Sequence, residues 1–143
     1  DADKMETAIR LCAGLFDSAL AVGMPLRFAA NCCTTDERDT IFTGEYWGRD
    51  YIESLFQLLA RLKLRSTEEF FAFLGDCYHN ITSTDLILVT GFVDERILEV
   101  VRRKQADGVR VRTILLGEIP SELDAAGCEI IELSPAQLEG GAA

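Results

Sequence analysis

One histidine, five cysteines and a scatter of carboxylates are what this sequence offers to chemistry. General acid–base catalysis needs a titratable group within hydrogen-bonding reach of a reacting atom, and His79 is the only imidazole. It stands beside Asn80 near the end of an expected helix, where a histidine ordinarily faces the negative pole of the helix dipole. That structural contact is the preferred reading. Cys32-Cys33 sits where an expected strand enters a loop and has the makings of a reactive pair. No histidine is fixed nearby by sequence, however, so a plain strand-end position is preferred. The cysteines are Cys12, Cys32, Cys33, Cys77 and Cys128; they form no C-x-x-C, and four of them lie among apolar neighbours. An odd count in that setting fits thiols of a reducing compartment better than a disulfide framework or a zinc site. Neither G-x-x-x-x-G-K-[ST] nor G-x-G-x-x-G occurs, so phosphate cradling has no support. A phosphoacceptor receiver site needs a lysine after its penultimate strand, where this chain reads Leu115-Leu116-Gly117-Glu118. The expectation is a non-catalytic domain without metal or cofactor.

Two further groups of residues invite binding. Gly44 and Gly48 flank Glu45-Tyr46-Trp47, and exposed aromatics there suit the anchoring of a partner, against the alternative of packing over a sheet edge. Arg102, Arg103 and Lys104, with Arg110 and Arg112 close behind, make a local basic patch. It is read as a solvated helix face and strand edge, because the net charge of −10 disfavours nonspecific attraction to nucleic acid or anionic lipid. No run approaches the roughly 18 apolar residues of a membrane span, and no signal peptide opens the chain. The chain opens Asp1-Ala2-Asp3 without an initiator Met, and it is read as a piece of something longer, cytoplasmic in location.

The elements that must position these residues follow from periodicity. The 143 residues are enough for one domain over 1–143 with a real core, ordered over about 3–133. Asp3 and Glu6 have capping-box spacing, and Met5, Ile9, Cys12, Phe16 and Ala19 form a helical stripe widened by Ala8, Leu11, Leu15 and Val22. The spacing predicts a helix over 3–22, stopped by Gly23 and packed hard against a sheet. Runs at 26–30 and 40–43, joined by a polar stretch from Asn31 to Asp39, predict a hairpin whose second strand is antiparallel and at an edge. Two adjacent helices are predicted next, over 49–63 and from Ser66, the second with Glu69 completing a capping box and burying Phe70, Phe73, Leu74 and Cys77.

Leu86-Ile87-Leu88-Val89 is an unbroken apolar run, the pattern of a parallel strand covered on both faces. A helix from Asp94 to Ala106 ended by Gly108 follows, then a strand over 109–116. A connection with a short helical turn at Ser121–Ala125 leads to a last strand over 128–133. Strand, helix, strand, connection, strand predicts a doubly wound α/β fold, mostly parallel with one antiparallel edge strand. In such sheets the first strand lies centrally, yet here a broad-faced helix comes first. A strand encoded ahead of residue 1 is therefore expected. Without it, a partner chain, a homodimer through exposed strand edges, or direct pairing of 26–30 with 86–90 must satisfy the backbone.

This order resembles a von Willebrand factor A domain that begins after its first strand. More narrowly it resembles the C-terminal half of the bacterial domain-of-unknown-function family 58. The likeness is carried by Lys4-Met5-Glu6-Thr7-Ala8-Ile9-Arg10 running into Leu15, by Val22-Gly23-Met24-Pro25-Leu26-Arg27-Phe28-Ala29-Ala30-Asn31, by the leucine-rich 55–62 helix and by Asp85-Leu86-Ile87-Leu88-Val89-Thr90. It covers about 1–133 with diffuse motifs. The resemblance implies a larger protein with an N-terminal membrane hairpin, of which this is a cytoplasmic part. It also implies work beside a MoxR-type ATPase in assembling or regulating complexes. Ligand-binding A domains hold Mg²⁺ through an Asp-x-Ser-x-Ser loop, a Thr, and an Asp at the end of the central strand. The first loop is not in this chain, and the strand ends Thr90-Gly91-Phe92, with glycine at the carboxylate position. Asp94 is three residues beyond Gly91 and is read as a helix cap; Asp50 is near the place of the Thr, and a helix N-terminal charge explains it equally well.

The expected role is docking of another protein at the C-terminal ends of the parallel strands, through Asn31, Thr34, Asp36, Thr90 and Asp94, with Tyr46 and Trp47 as aromatic anchors. The rival is a ligand- or metal-binding domain or enzyme whose decisive loop lies upstream.

Overall fold

In a computed structural model, residues 2–34, 40–66, 69–80 and 85–133 are described. The chain is mixed α/β and divides into two compact units, Asp1–Phe73 and Leu74–Ala143.

The first unit opens with α1 (Ala2–Val22), ended at Gly23, whose φ of +66° is the left-handed conformation that glycine adopts without a Cβ clash. Asp3 lies inside this helix rather than capping it. Glu6 pairs instead with Arg10 one turn on, at 3.4 Å. Within this unit the wide apolar face meets another helix. Phe16 is buried with Ile52, Leu55 and Leu59 of α2 (Arg49–Ala60), and Ile9, Cys12 and Ala13 pack around them. Phe28 adds an edge-on ring contact to Phe16, centroids 5.4 Å apart. Val22, expected within the buried stripe, is exposed, because Gly23 ends the helix before another turn can cover it.

Among the described residues, four short strands complete this unit. β1 (Ala29–Ala30) pairs antiparallel with β3 (Ile41–Phe42), the hairpin expected from sequence, and the ladder extends to an isolated bridge between Leu26 and Tyr46. β2 (Cys32–Thr34) pairs antiparallel with β4 (Leu62–Ser66), Thr34 opposite Leu62. Both β2 and β4 correct the sequence reading. The first falls in the stretch expected to be a turn, and the second replaces the end of the 49–63 helix, which stops at Ala60. Ser66, the expected start of the next helix, is the last residue of β4, and its side chain lies outside the described residues. The third helix, α3 (Phe70–Asn80), begins four residues later than expected, with the Phe73 N–H donating to the Glu69 carbonyl at 2.9 Å. α3 crosses from the first unit into the second.

The second unit holds a three-stranded parallel sheet of β5 (Asp85–Thr90), β6 (Arg110–Leu115) and β7 (Glu129–Glu132), ordered β5-β6-β7 as the apolar runs predict. α4 (Glu95–Ala106) connects the first two strands and buries Ile97, Leu98 and Val101. Residues at one register level of a parallel sheet share a face, so Leu88, Thr90, Val111, Thr113 and Leu115 form one buried side. Asp85 and Arg112 lie on the other, 3.8 Å apart. The expected helical turn at Ser121–Ala125 is a single turn closed by the Leu123 N–H on the Pro120 carbonyl. In the first unit β1 and β3 make a two-stranded antiparallel sheet. No helix among them is long and apolar enough to cross a membrane.

Candidate functional site

The ends of the parallel strands spend their polar groups on their own backbone. Thr90 is 6 % exposed, and its hydroxyl donates to the Phe92 carbonyl at 2.9 Å while accepting from the Phe92 N–H at 3.3 Å. Those bonds close the turn out of β5. Asp94 is the N-cap of α4: extended backbone, with Oδ1 accepting the Ile97 N–H at 2.9 Å. Its second oxygen lies 3.7 Å from Arg96. Glu132 Oε2 accepts the Ile119 N–H at 3.1 Å, tying the connection to β7. Phe92, half exposed, is the apolar residue this loop presents.

In the first unit, Thr34 is also buried, at 5 % exposure within the β2–β4 pair, and Asn31 is half-buried at the bend between β1 and β2. Asp36 lies outside the described residues, as do the side chains of Cys33, Cys77 and His79. Among the described residues no group of three metal-ligating side chains gathers. Thr34 and Thr90 are thus both buried, each within its own unit.

What the structure does assemble is the loop between β3 and α2. Trp47 is 64 % exposed and Tyr46 59 %, as the flanking glycines suggest. The loop is firmly held. Leu26 and Tyr46 exchange both backbone hydrogen bonds, at 3.0 and 3.3 Å. Thr43 Oγ1 accepts the Phe28 N–H at 2.8 Å and lies 3.0 Å from the Tyr51 hydroxyl. The Tyr51 hydroxyl also lies within 3.0 Å of the Leu26 carbonyl and 2.9 Å of the Gly44 carbonyl. A phenol has one proton to give, so Tyr51 donates to one of the two while Thr43 supplies the second proton of the cluster. The Tyr46 ring stands edge-on to Tyr51, centroids 5.4 Å apart, over Gly44, where an added Cβ would meet it at 2.5 Å. The Leu26–Tyr46 bridge also holds the turn after α1 beside this loop, and that turn carries exposed Met24 and Val22. Neither was singled out from sequence. Their signal was the apolar run into Gly23-Met24-Pro25, which leaves side chains no following turn to hide under.

One titratable group stands apart. Burial pushes the Cys12 thiol up to about 11, and the neighbouring Cys32 thiol adds to the shift. Cys12 is therefore a neutral thiol at physiological pH, without the thiolate a nucleophile requires. The arrangement as a whole presents apolar and aromatic surface on a braced backbone, with no nucleophile–base pair in view among the described residues. No family model, curated protein or solved structure matches the chain.

Proposed function

We propose that the chain is a non-catalytic protein-interaction domain whose anchor is the Tyr46–Trp47 loop. Its finer fold, on this reading, is the doubly wound von Willebrand factor A type, related to the bacterial domain-of-unknown-function family 58. Support for that fold comes from the β5–α4–β6 unit and the parallel order β5-β6-β7, which successive strands of such a sheet would give. The partner that the resemblance suggests is a MoxR-type ATPase, met in the cytoplasm.

The observation that carries the role is the exposure of Tyr46 and Trp47 beside Met24 and Val22 on a hydrogen-bonded loop. Large apolar side chains are costly to leave in water. Trp and Tyr are also the residues that most often dominate binding energy, because they bury much area for few rotatable bonds. A braced loop loses little further entropy when a partner covers it.

Titration of the purified ATPase against the chain by calorimetry tests this. Trp47→Ala should weaken binding roughly 30-fold, the effect of about 2 kcal/mol at an interface anchor. Asp94→Asn should bind like the parent, since that carboxylate is engaged in its own helix. Parent-like affinity of Trp47→Ala would remove the loop from the interface, and no binding by the parent chain would remove the ATPase.

A further inference from the structure

We infer that the β6–β7 connection is a hinged strap that opens as one unit while the parallel sheet stays folded. Its latch is the pair Arg102 and Gln105 on α4. Its ends are Gly117, with φ +154°, and Gly127, with φ +82°, backbone that a residue bearing a Cβ rarely adopts. Hinges are a few loop positions of this kind, which absorb changes in backbone angle.

A crossover between parallel strands is usually a helix, which satisfies its own backbone and lays an apolar face on the sheet. This one is not a helix, and side chains fasten it. Nη2 of Arg102 donates to the Asp124 carbonyl at 2.8 Å and to the Ala126 carbonyl at 3.2 Å. Nε2 of Gln105 donates to the Gly127 carbonyl at 3.1 Å. Arg102 and Gln105 are three residues apart on α4, so they reach the strap from one helix face. At the other end, Glu132 Oε2 accepts the Ile119 N–H at 3.1 Å. The strap also carries bonds of its own. The Leu123 N–H meets the Pro120 carbonyl at 3.0 Å, the Ala126 N–H meets Asp124 Oδ1 at 3.0 Å, and the Cys128 N–H meets the Ala125 carbonyl at 3.1 Å. These internal bonds let it move as a body rather than fray.

What the strap lacks is a hold on the core. None of the described residues from Gly117 to Leu133 is buried, whereas β6 just before it buries Val111, Thr113 and Leu115. Ile119, Leu123 and Ala125 are only half-buried, and the latch bonds are themselves exposed to solvent. A segment with few buried apolar contacts and exposed hydrogen bonds opens at a lower free energy than the core. The same geometry accounts for much of the basic run in the sequence. Arg102 is spent on the strap, Arg103 pairs with Glu99 at 2.6 Å, and Arg110 pairs with Glu129 at 3.5 Å. Opening brings Ile119, Leu123, Ala125 and the Arg102 side of α4 into water. The second unit can therefore change the surface beside β7 without unfolding its sheet.

Amide hydrogen exchange of the full chain, followed by NMR where rates report opening equilibria, tests this. After correction for intrinsic rates, the Ile119, Leu123, Ala126 and Cys128 amides should share one protection factor. That factor should lie well below those of Val111, Thr113 and Leu115. Arg102→Ala should speed exchange of the strap amides about tenfold, the scale of a lost hydrogen bond to a charged group. The β6 amides should not change. Gln105→Ala should move the strap amides in the same direction by less. Unrelated protection among the strap amides would overturn the single unit, and protection equal to that of β6 would overturn the opening. Equal acceleration of strap and β6 by Arg102→Ala would make Arg102 a general stabiliser and not a latch. Where Arg102→Ala does not fold, Arg102→Lys decides, because an ammonium keeps the charge without the planar fork. Faster exchange in the strap alone supports the latch, and unchanged exchange refutes it.

Discussion

Substitution of Asp94 separates a helix cap from a docking or metal-binding carboxylate. Its Oδ1 takes the Ile97 N–H at 2.9 Å from an extended backbone with φ −139° and ψ 179°. Replacing such a cap with alanine costs about 1 kcal/mol. Removing a negative charge from the first turn costs about another 0.5 kcal/mol through the helix dipole. The Arg96 pair, 3.7 Å apart and exposed on both sides, contributes at most a few tenths on the scale of surface pairs. Asp94→Ala should therefore lower stability by about 1.5 kcal/mol. Asp94→Asn keeps an acceptor oxygen for Ile97 and loses only the charge, so about 0.5 kcal/mol is expected. Urea unfolding followed by far-ultraviolet circular dichroism reads the difference. With a slope of about 1.5 kcal/mol/M, the alanine midpoint falls by about 1 M and the asparagine midpoint by about 0.3 M. Because the chain has two compact units, two transitions are fitted where the curve is not single. Equal losses for alanine and asparagine would show that the acceptor oxygen is not what matters. No loss for either would remove the cap and return Asp94 to the list of candidate binding groups.

Tyr51→Phe removes one donated proton from the cluster around Leu26, Thr43 and Gly44. It should cost about 1 kcal/mol and increase the solvent quenching of Trp47 fluorescence; an unchanged midpoint would mean that the phenol does not brace the loop. Stability should also fall at alkaline pH because of Cys12. Its thiol is raised from 9.0 to about 11 on folding, so the folded state holds the proton more tightly. The resulting stability is complete below about pH 9 and is lost as pH rises toward 11, amounting to about 2 kcal/mol by pH 10.5. Urea midpoints of the parent and of Cys12→Ala, measured between pH 8 and 10.5, should converge by that amount, and parallel curves would refute the shift.

The parallel sheet was legible because its signals are local and agree with one another. Leu86 to Val89 is an uninterrupted apolar run, Asp94 supplies a cap, and Gly108, with φ +88°, ends α4 where the periodicity stops. The β2–β4 pair was not, because the Leu55, Leu59, Leu62 spacing continues a helix while Leu62-Lys63-Leu64-Arg65 simultaneously alternates as a strand. What decides between them is pairing with Cys32–Thr34, some thirty residues away, which no local pattern encodes. The capping box expected at Asp3 and Glu6 misleads for a related reason. A Ser or Asp three residues before a Glu is also common on helix faces and strand edges, and Glu6 finds Arg10 as an i,i+4 partner. The aromatic loop was legible through its glycines, whereas its bracing by Tyr51 was not, since Tyr51 falls on the next helix and looks like ordinary packing.

The polar residues at the ends of the parallel strands and the aromatic residues of the loop differ in what a partner could recover from them. Thr90 and Asp94 already have their hydrogen bonds, and a partner that took over either oxygen would have to break a bond of similar strength. Their exchange value in binding is near zero. Trp47 and Tyr46 keep most of their surface in water, while their backbone is fixed by Leu26 and Tyr51. Covering them releases that hydration without dismantling any internal bond. The same asymmetry explains why carboxylates attract attention in the sequence and aromatics carry the proposal from the structure. A side chain's type indicates what it is able to bind, but only its remaining exposure and unspent bonds indicate what it has left to bind with.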